Sequence, residues 1–250
     1  MQKPAEDEQI YPRPLSDATV AVPPPALVPS RTELAGNHVV LEPQNAGRHA
    51  AELFRSGHDS KEALAIWDYL TYGPWASEAD YANVLRAQSA SFDPVFYTIR
   101  SRKSGKACGQ ASFLDINAQN GVIEIGHIWF APELQRTSAA TEALFLMLCY
   151  AMDELGYRRM QWRCNSLNAR SRTAAHRLGF RFEGIFYNHL IFKGKNRDTA
   201  WYSILDDEWP EVRAIIAGWL DPSNFTADGV PKTSLSETME IRSPSTRGQP

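Results

Sequence analysis

The chain has 250 residues, of which 43% are hydrophobic, enough for one well-cored domain with tails and short for two. A net charge of -3 and a pI near 6.1 supply no global basic field to hold a phosphate polymer, which sets nucleic acid aside as a partner. No apolar run reaches the roughly 18 residues of a membrane helix, and the acidic, proline-bearing start does not resemble a leader, so a soluble, cytoplasmic protein away from membranes is expected.

Residues 1–36 carry Pro4, Pro12, Pro14, Pro23 to Pro25 and Pro29 with little periodic apolar pattern, and are expected to be a disordered arm. His38 to Pro43 is a short β-rich run, ended where Pro43 removes a ladder donor. Helical spacing follows from about Asn45 to Ser56 and again from Ser60 to Tyr69, with Gly57 between them. After the turn at Gly73-Pro74, Ser77 with Glu78 and Asp80 opens a helix to about Gln88. Pro94 to Arg100 and Ala107 to Asn117 predict a hairpin turned at Lys103-Ser104-Gly105-Lys106. Val122 to Phe130 is too dense in β-branched residues for a helix and predicts the central strand. Past Pro132, the small-residue segment Gln135 to Glu142 opens a long helical run to about Leu155, stopped by Gly156. A strand at Arg159 to Cys164, a helix from Asn168 to Leu178, β-rich runs at Phe182 to Phe192 and Thr199 to Leu205, and a helix from about Asp207 to Trp219 complete the order. From Phe225 the composition turns to Ser, Thr, Pro and Gly, so 37–224 is expected to be the folded domain and 225–250 a disordered tail. Cys108, Cys149 and Cys164 match neither a disulfide framework nor a zinc pattern, so reduced structural thiols and no metal site are expected.

The strand, small-residue turn and helix around Gln135 to Thr141 would aim several backbone N–H groups and the positive end of a helix dipole at one spot, an arrangement that suits a pyrophosphate. Glu124 and His127, three positions apart on the central strand, are expected to face opposite sides of the sheet, so that only one reaches a cleft. Asn168 and Ser171 stand three apart at a helix start and so share one face, though a cap and a solvated first-turn residue would look the same. Trp67, Tyr69, Tyr72 and Trp75 fall within nine positions, a cluster that reads equally as core.

Three stretches together resemble the GNAT superfamily, and within it the RimJ/RimL-like N-acetyltransferases. They are Trp67 to Leu70 with Tyr72 to Trp75, the segment Gln135 to Glu142, and Asn168 to Ser171 followed by Leu178 to Phe180, and the likeness spans about Asn37 to Leu220. The resemblance implies the GNAT fold, an α/β (α+β) domain whose central, mixed but mostly antiparallel sheet is flanked by helices on both faces. It also implies transfer of an acetyl group from acetyl-CoA to a primary amine. On the family's pattern the backbone of Ile128, Trp129 and Phe130 would hold the pantetheine arm. Gln135, Arg136, Thr137, Ser138, Ala139, Ala140 and Thr141 would cradle the phosphates, and Asn168 would bind the coenzyme arm. Ser138 and Ala140 stand where the family's turn, Gln/Arg-x-x-Gly-x-Gly/Ala, places its glycines. Ser171 is the expected acid for the departing thiolate, with Glu124 favoured over His127 as base. Tyr72 and Trp75 are expected at the acceptor mouth, with Tyr187 and His189 adding polar contacts from a late strand. A small-molecule amine is favoured over a protein N-terminus or ribosomal protein, a non-catalytic acyl-CoA-binding domain is the reading from another class, and the protein is expected to be a monomer or homodimer.

Overall fold

The computed structural model describes residues 15–17, 19–20 and 25–242. An eight-stranded sheet runs through the domain in the order β1-β2-β3-β4-β5-β6-β8-β7. Its strands are β1 (Leu34–Ala35), β2 (Val39–Pro43), β3 (Val95–Ser101), β4 (Ala107–Asn117), β5 (Val122–Phe130), β6 (Arg159–Asn165), β7 (Arg181–Phe192) and β8 (Lys195–Leu205). Every neighbouring pair is antiparallel except β5 with β6. That parallel step requires a crossover, and the helix α4 (Ser138–Cys149), prolonged by a wider turn over Tyr150–Glu154, supplies it.

Helices cover both faces, as the resemblance implies. On one face lie α1 (Ala46–His58), the short α2 (Lys61–Leu64) and α3 (Glu78–Ala90), while α4, α5 (Ala169–Arg177) and α6 (Trp209–Leu220) flank the other. Local chemistry sets the helix starts. The side chains of Asn45, Ser60, Ser77, Thr137 and Asn168 each accept a backbone N–H of the first turn, satisfying one of the donors a helix start leaves orphaned. The carboxylate of Glu142, buried in α4, accepts the N–H groups of Asn37, His38 and Val39 at 2.8, 2.6 and 2.9 Å, fastening the first long strand to the crossover helix. No helix among the described residues is long and apolar enough to cross a membrane.

Four expectations change. The stretch Ser60 to Tyr69 is α2 followed by a tighter 3₁₀ turn at Ala65–Tyr69, because Trp67 must reach the core, where its indole N–H donates to Gly57 O at 2.8 Å. Of the arm expected over 1–36, residues 1–14, 18 and 21–24 lie outside the described residues, but its last part packs. Ala26 and Leu27 donate backbone N–H groups to Ala118 and Leu155, Ser30 O accepts the Tyr97 hydroxyl at 2.9 Å, and Leu34–Ala35 adds a strand. The tail expected over 225–250, described as far as residue 242, likewise folds back. It forms α7 (Leu235–Glu240), whose Leu235 and Met239, four apart, are buried against the α5–α6 side. Six residues are too few for helical periodicity to stand out from a Ser- and Thr-rich background. The strand predicted from Thr199 begins at Lys195, since its polar first residues pair with β7 outside the core, where no apolar signal is needed.

Candidate functional site

Strands β5 and β6 pair only at Val122↔Arg159, Ile123↔Met160 and Glu124↔Gln161, and then part. Beyond Glu124 the two strands splay, opening a slot in the middle of the sheet with Ile128, Trp129 and Phe130 on one lip and Cys164 and Asn165 on the other. On its other edge β5 carries a bulge against β4. Gln110 faces Trp129 and Ser112 faces Gly126, leaving His127 and Ile128 opposite the single residue Ala111, with His127 in the left-handed region at φ 51°. The extra residue shifts the alternation. Glu124 and His127 therefore do not face opposite sides; both sit within electrostatic range of Arg163 and Asp115.

At the end of β5 the chain turns tightly, Leu134 and Gln135 donating their N–H groups to Ala131 O. Gln135 spends its side-chain amide on Phe130 O at 2.9 Å, so it closes the turn rather than facing outward. Arg136 takes a left-handed φ of 60°, and Thr137 caps α4 by accepting the Ala140 N–H at 3.1 Å. Ser138 and Ala139 then present first-turn N–H groups of the kind that bind anions. Ala140 and Thr141 lie behind them, buried, and the Thr141 hydroxyl accepts from Arg177 at 2.9 Å. Thr141 thus holds Arg177 and does not face the cleft.

That cleft, about 710 Å³, is lined by Arg136, Thr137, Ser138, Arg177, Trp219 and Lys232 among others, with Glu237 as its acid. Arg177 lies over the Trp219 ring at 4.9 Å, no carboxylate among the described residues comes within ion-pairing distance of it, and burial lowers its pKa. A half-buried guanidinium without a counter-anion, beside free helix N–H groups, is suited to phosphate. Sequence reasoning missed Arg177 and Lys232, since the last turn of a helix and a polar tail carry no motif.

In the slot, Glu124 is only 2% exposed. Burial pushes its carboxyl up to about 8 against the opposing pull of Arg163, whose Nε lies 2.7 Å from Oε2. Arg163 also pairs with Asp115 and lies over the Trp201 ring at 5.2 Å. Across the slot, Ser171 Oγ accepts the Trp162 indole N–H at 3.0 Å, which leaves its own proton to donate. Asn168 caps α5 by accepting the Ser171 N–H at 3.1 Å, so its role is first that of a cap, with its amide N–H groups still free to donate. Cys164 stands between the two candidates: its thiol, pushed up to about 11 by burial, feels both the Ser171 hydroxyl and Glu124. Cys164, read from sequence as merely structural, thus lies beside Ser171 and within electrostatic range of Glu124.

The aromatic cluster divides. Trp67 is core, whereas Tyr72 and Trp75 are half-buried, Trp75 meeting Trp67 edge-on at 5.0 Å and Tyr81 at 4.7 Å. A hydrogen-bond chain fixes Tyr72. Gln44 Nε2 donates to Gln110 Oε1 at 2.8 Å, Gln110 Nε2 donates to the Tyr72 hydroxyl at 3.2 Å, and Tyr72 then donates to His127 Nδ1 at 3.0 Å. His127, drawn down to about 4 by burial and the nearby Arg163, is a neutral imidazole with its proton on Nε2, and so is not the free base. The β7–β8 hairpin crosses over this mouth, Lys193 Nζ donating to Trp67 O at 2.9 Å and Gly73 O at 3.1 Å. His189 shares a hydrogen bond with Thr199 at 3.0 Å, but Tyr187 is 76% exposed and is not brought to the site. Alternation along a hairpin could not tell which of its residues turn inward once Asn188, at φ 50°, breaks the register.

The family described as "Acetyltransferase (GNAT) domain" matches residues 38–181. The crystal structure of a GCN5-related N-acetyltransferase from Brucella melitensis is 43% identical, over 87% of this chain and 98% of that one, with a TM-score of 0.84. One of the GNAT family from Chromobacterium violaceum, titled "probable acetyltransferases", is 39% identical, over 80% and 98%, with a TM-score of 0.73. The Bacillus subtilis protein named "Putative ribosomal N-acetyltransferase YdaF" is 27% identical over 173 residues, 68% of this chain and 91% of its own length.

Proposed function

The chain belongs to the GNAT acetyltransferase family, and from that premise we propose that it acetylates a small primary amine inside the cytoplasm, with Glu124 as base and Ser171 as acid. Acetyl-CoA supplies the acetyl group as a thioester, and the reaction yields an amide and the free thiol. The observation that carries the reading is the buried Glu124, paired with Arg163 and with its carboxyl poised near 8, facing a slot whose far wall holds a serine hydroxyl with a proton to give. The slot lips, Ile128 to Phe130, offer backbone groups to an extended pantetheine arm, and Asn168 has amide donors left for it. The phosphates fit the cleft of Arg136, Ser138, Ala139 and Arg177, so the acetyltransferase domain runs past residue 224 through α7.

As the amine nitrogen bonds to the acetyl carbon, Glu124 takes the proton the nitrogen sheds. Ser171 donates to the departing sulfur as the C–S bond breaks, and is itself re-protonated from solvent through Cys164 or water. Tyr72 and Trp75 shape the acceptor entrance, and the Lys193 bridge narrows it, which favours a small acceptor over a folded protein surface. The name of the Bacillus relative favours a second reading, a ribosomal-protein amine. Labelled acetyl-CoA incubated with the protein, a panel of small amines and a set of short peptides with free N-termini separates the two. Label on small amines with release of free thiol is expected; label confined to peptides replaces this reading with the second.

A further inference from the structure

Two buried donors near the slot have no hydrogen-bond partner among the described residues: Arg197 Nε and the Trp201 indole N–H. Arg163, paired with Glu124, lies over the Trp201 ring at 5.2 Å, and Arg197 stands four residues before Trp201 on β8, so the two share a face of the strand; burial lowers the pKa of Arg197. The acids near it are already engaged. Glu124 and Asp115 both pair with Arg163, and Asp198 accepts the Asn188 N–H at 2.7 Å and the Asn196 amide at 2.9 Å.

Arg163 thus takes both nearby carboxylates, Glu124 and Asp115, and no ion pair reaches Arg197 among the described residues. A half-buried cation without a counter-anion is costly, and the missing partner must be acceptor-rich to satisfy both Arg197 Nε and the Trp201 N–H. Resting on the acetyl-transfer reading above, we infer that the acceptor substrate is a primary amine that itself carries an anionic group, a carboxylate or a phosphate. The amine is taken by Glu124 and the anion by Arg197 with Trp201. Such a substrate gives Arg197 and the Trp201 indole N–H an acceptor, and fixes the amine's orientation at the mouth of the slot.

The test compares ω-amino carboxylic acids of rising chain length with alkylamines of equal length, following thiol release from acetyl-CoA. For the wild type, kcat/KM for the best-fitting amino acid is expected to exceed that of its alkylamine by about tenfold or more, the effect of a charge-assisted pair. Arg197→Gln should erase that preference by raising KM for the acid alone, and Arg197→Lys, which keeps the charge, should restore part of it. Alkylamines turned over as well as the acids would overturn the inference while leaving the transferase reading in place, as would an Arg197→Gln variant that loses both classes equally with its fold intact. Calorimetric titration with glutarate gives a readout independent of turnover. Binding to wild type that is lost in Arg197→Gln supports the anion site, and equal binding to both, or to neither, overturns it. Failure to acetylate any amine or peptide, with acetyl-CoA still bound, would instead overturn the transferase reading.

Discussion

Replacing Glu124 by Gln keeps the shape of the side chain and removes its ability to take a proton. With the carboxyl at about 8, roughly a tenth is ionised at pH 7 and nearly all by pH 10, so wild-type kcat should climb about tenfold between those values on account of this group. Glu124→Gln should lower plateau kcat by about 10²–10⁴-fold, the usual worth of a positioned base, and abolish the limb near pH 8. The KM for acetyl-CoA should stay within about twofold, since in the proposed reading Arg136 and Arg177 would hold the far end of the coenzyme. Stability provides an independent check. The folded pKa is raised above the ordinary 4.5, so the folded state holds this proton more tightly than the unfolded chain does. The contribution is then fully present below pH 4.5 and is lost as pH rises through about 8. Glu124→Gln should flatten the fall in melting temperature across that window. Stopped thiol-release assays from about pH 6 to 10 and thermal melts from about pH 4 to 9 decide it. Wild-type turnover in the variant, with the pH 8 limb retained, would refute the assignment.

Ser171→Ala should reduce kcat toward the lower end of a loss of about 10²–10⁴-fold, because a thiolate departs partly unaided, and should cost about 1–3 kcal/mol in denaturant melts by stranding the buried Trp162 N–H. An unchanged kcat would remove it from the chemistry. Arg177→Ala should raise KM for acetyl-CoA about tenfold and leave kcat within about twofold; calorimetry showing unchanged coenzyme A affinity would empty the cleft of that role. A chain beginning at Asn37 should lose about 3–5 kcal/mol, from deleting buried Leu34, which uncovers the core it packs on, and leaving the Tyr97 hydroxyl without Ser30 O, and a melting temperature within a degree of the full chain would show that this segment contributes nothing.

The sequence by itself determined the order of the main elements, because these depend on local signals. Ser77 and Asn168 announced their helices, the β-branched run announced β5, and small residues after Pro132 announced the turn into α4. The same local logic failed for Glu124 and His127, since a single extra residue opposite Ala111 reverses the alternation that the reading assumed. It failed for Tyr187 as well, where the hairpin's irregular register turned the side chain to solvent. Only the tertiary structure could bring Arg177 to Trp219, Lys193 to the aromatic loop, or Arg163 and Arg197 to Glu124. These residues come from elements dozens of positions apart, and each is an ordinary polar residue in its own segment. What makes them matter is burial beside a particular neighbour, which sets charge balance and proton affinity. Burial of that kind is a property of the packed domain, and no short stretch of chain encodes it.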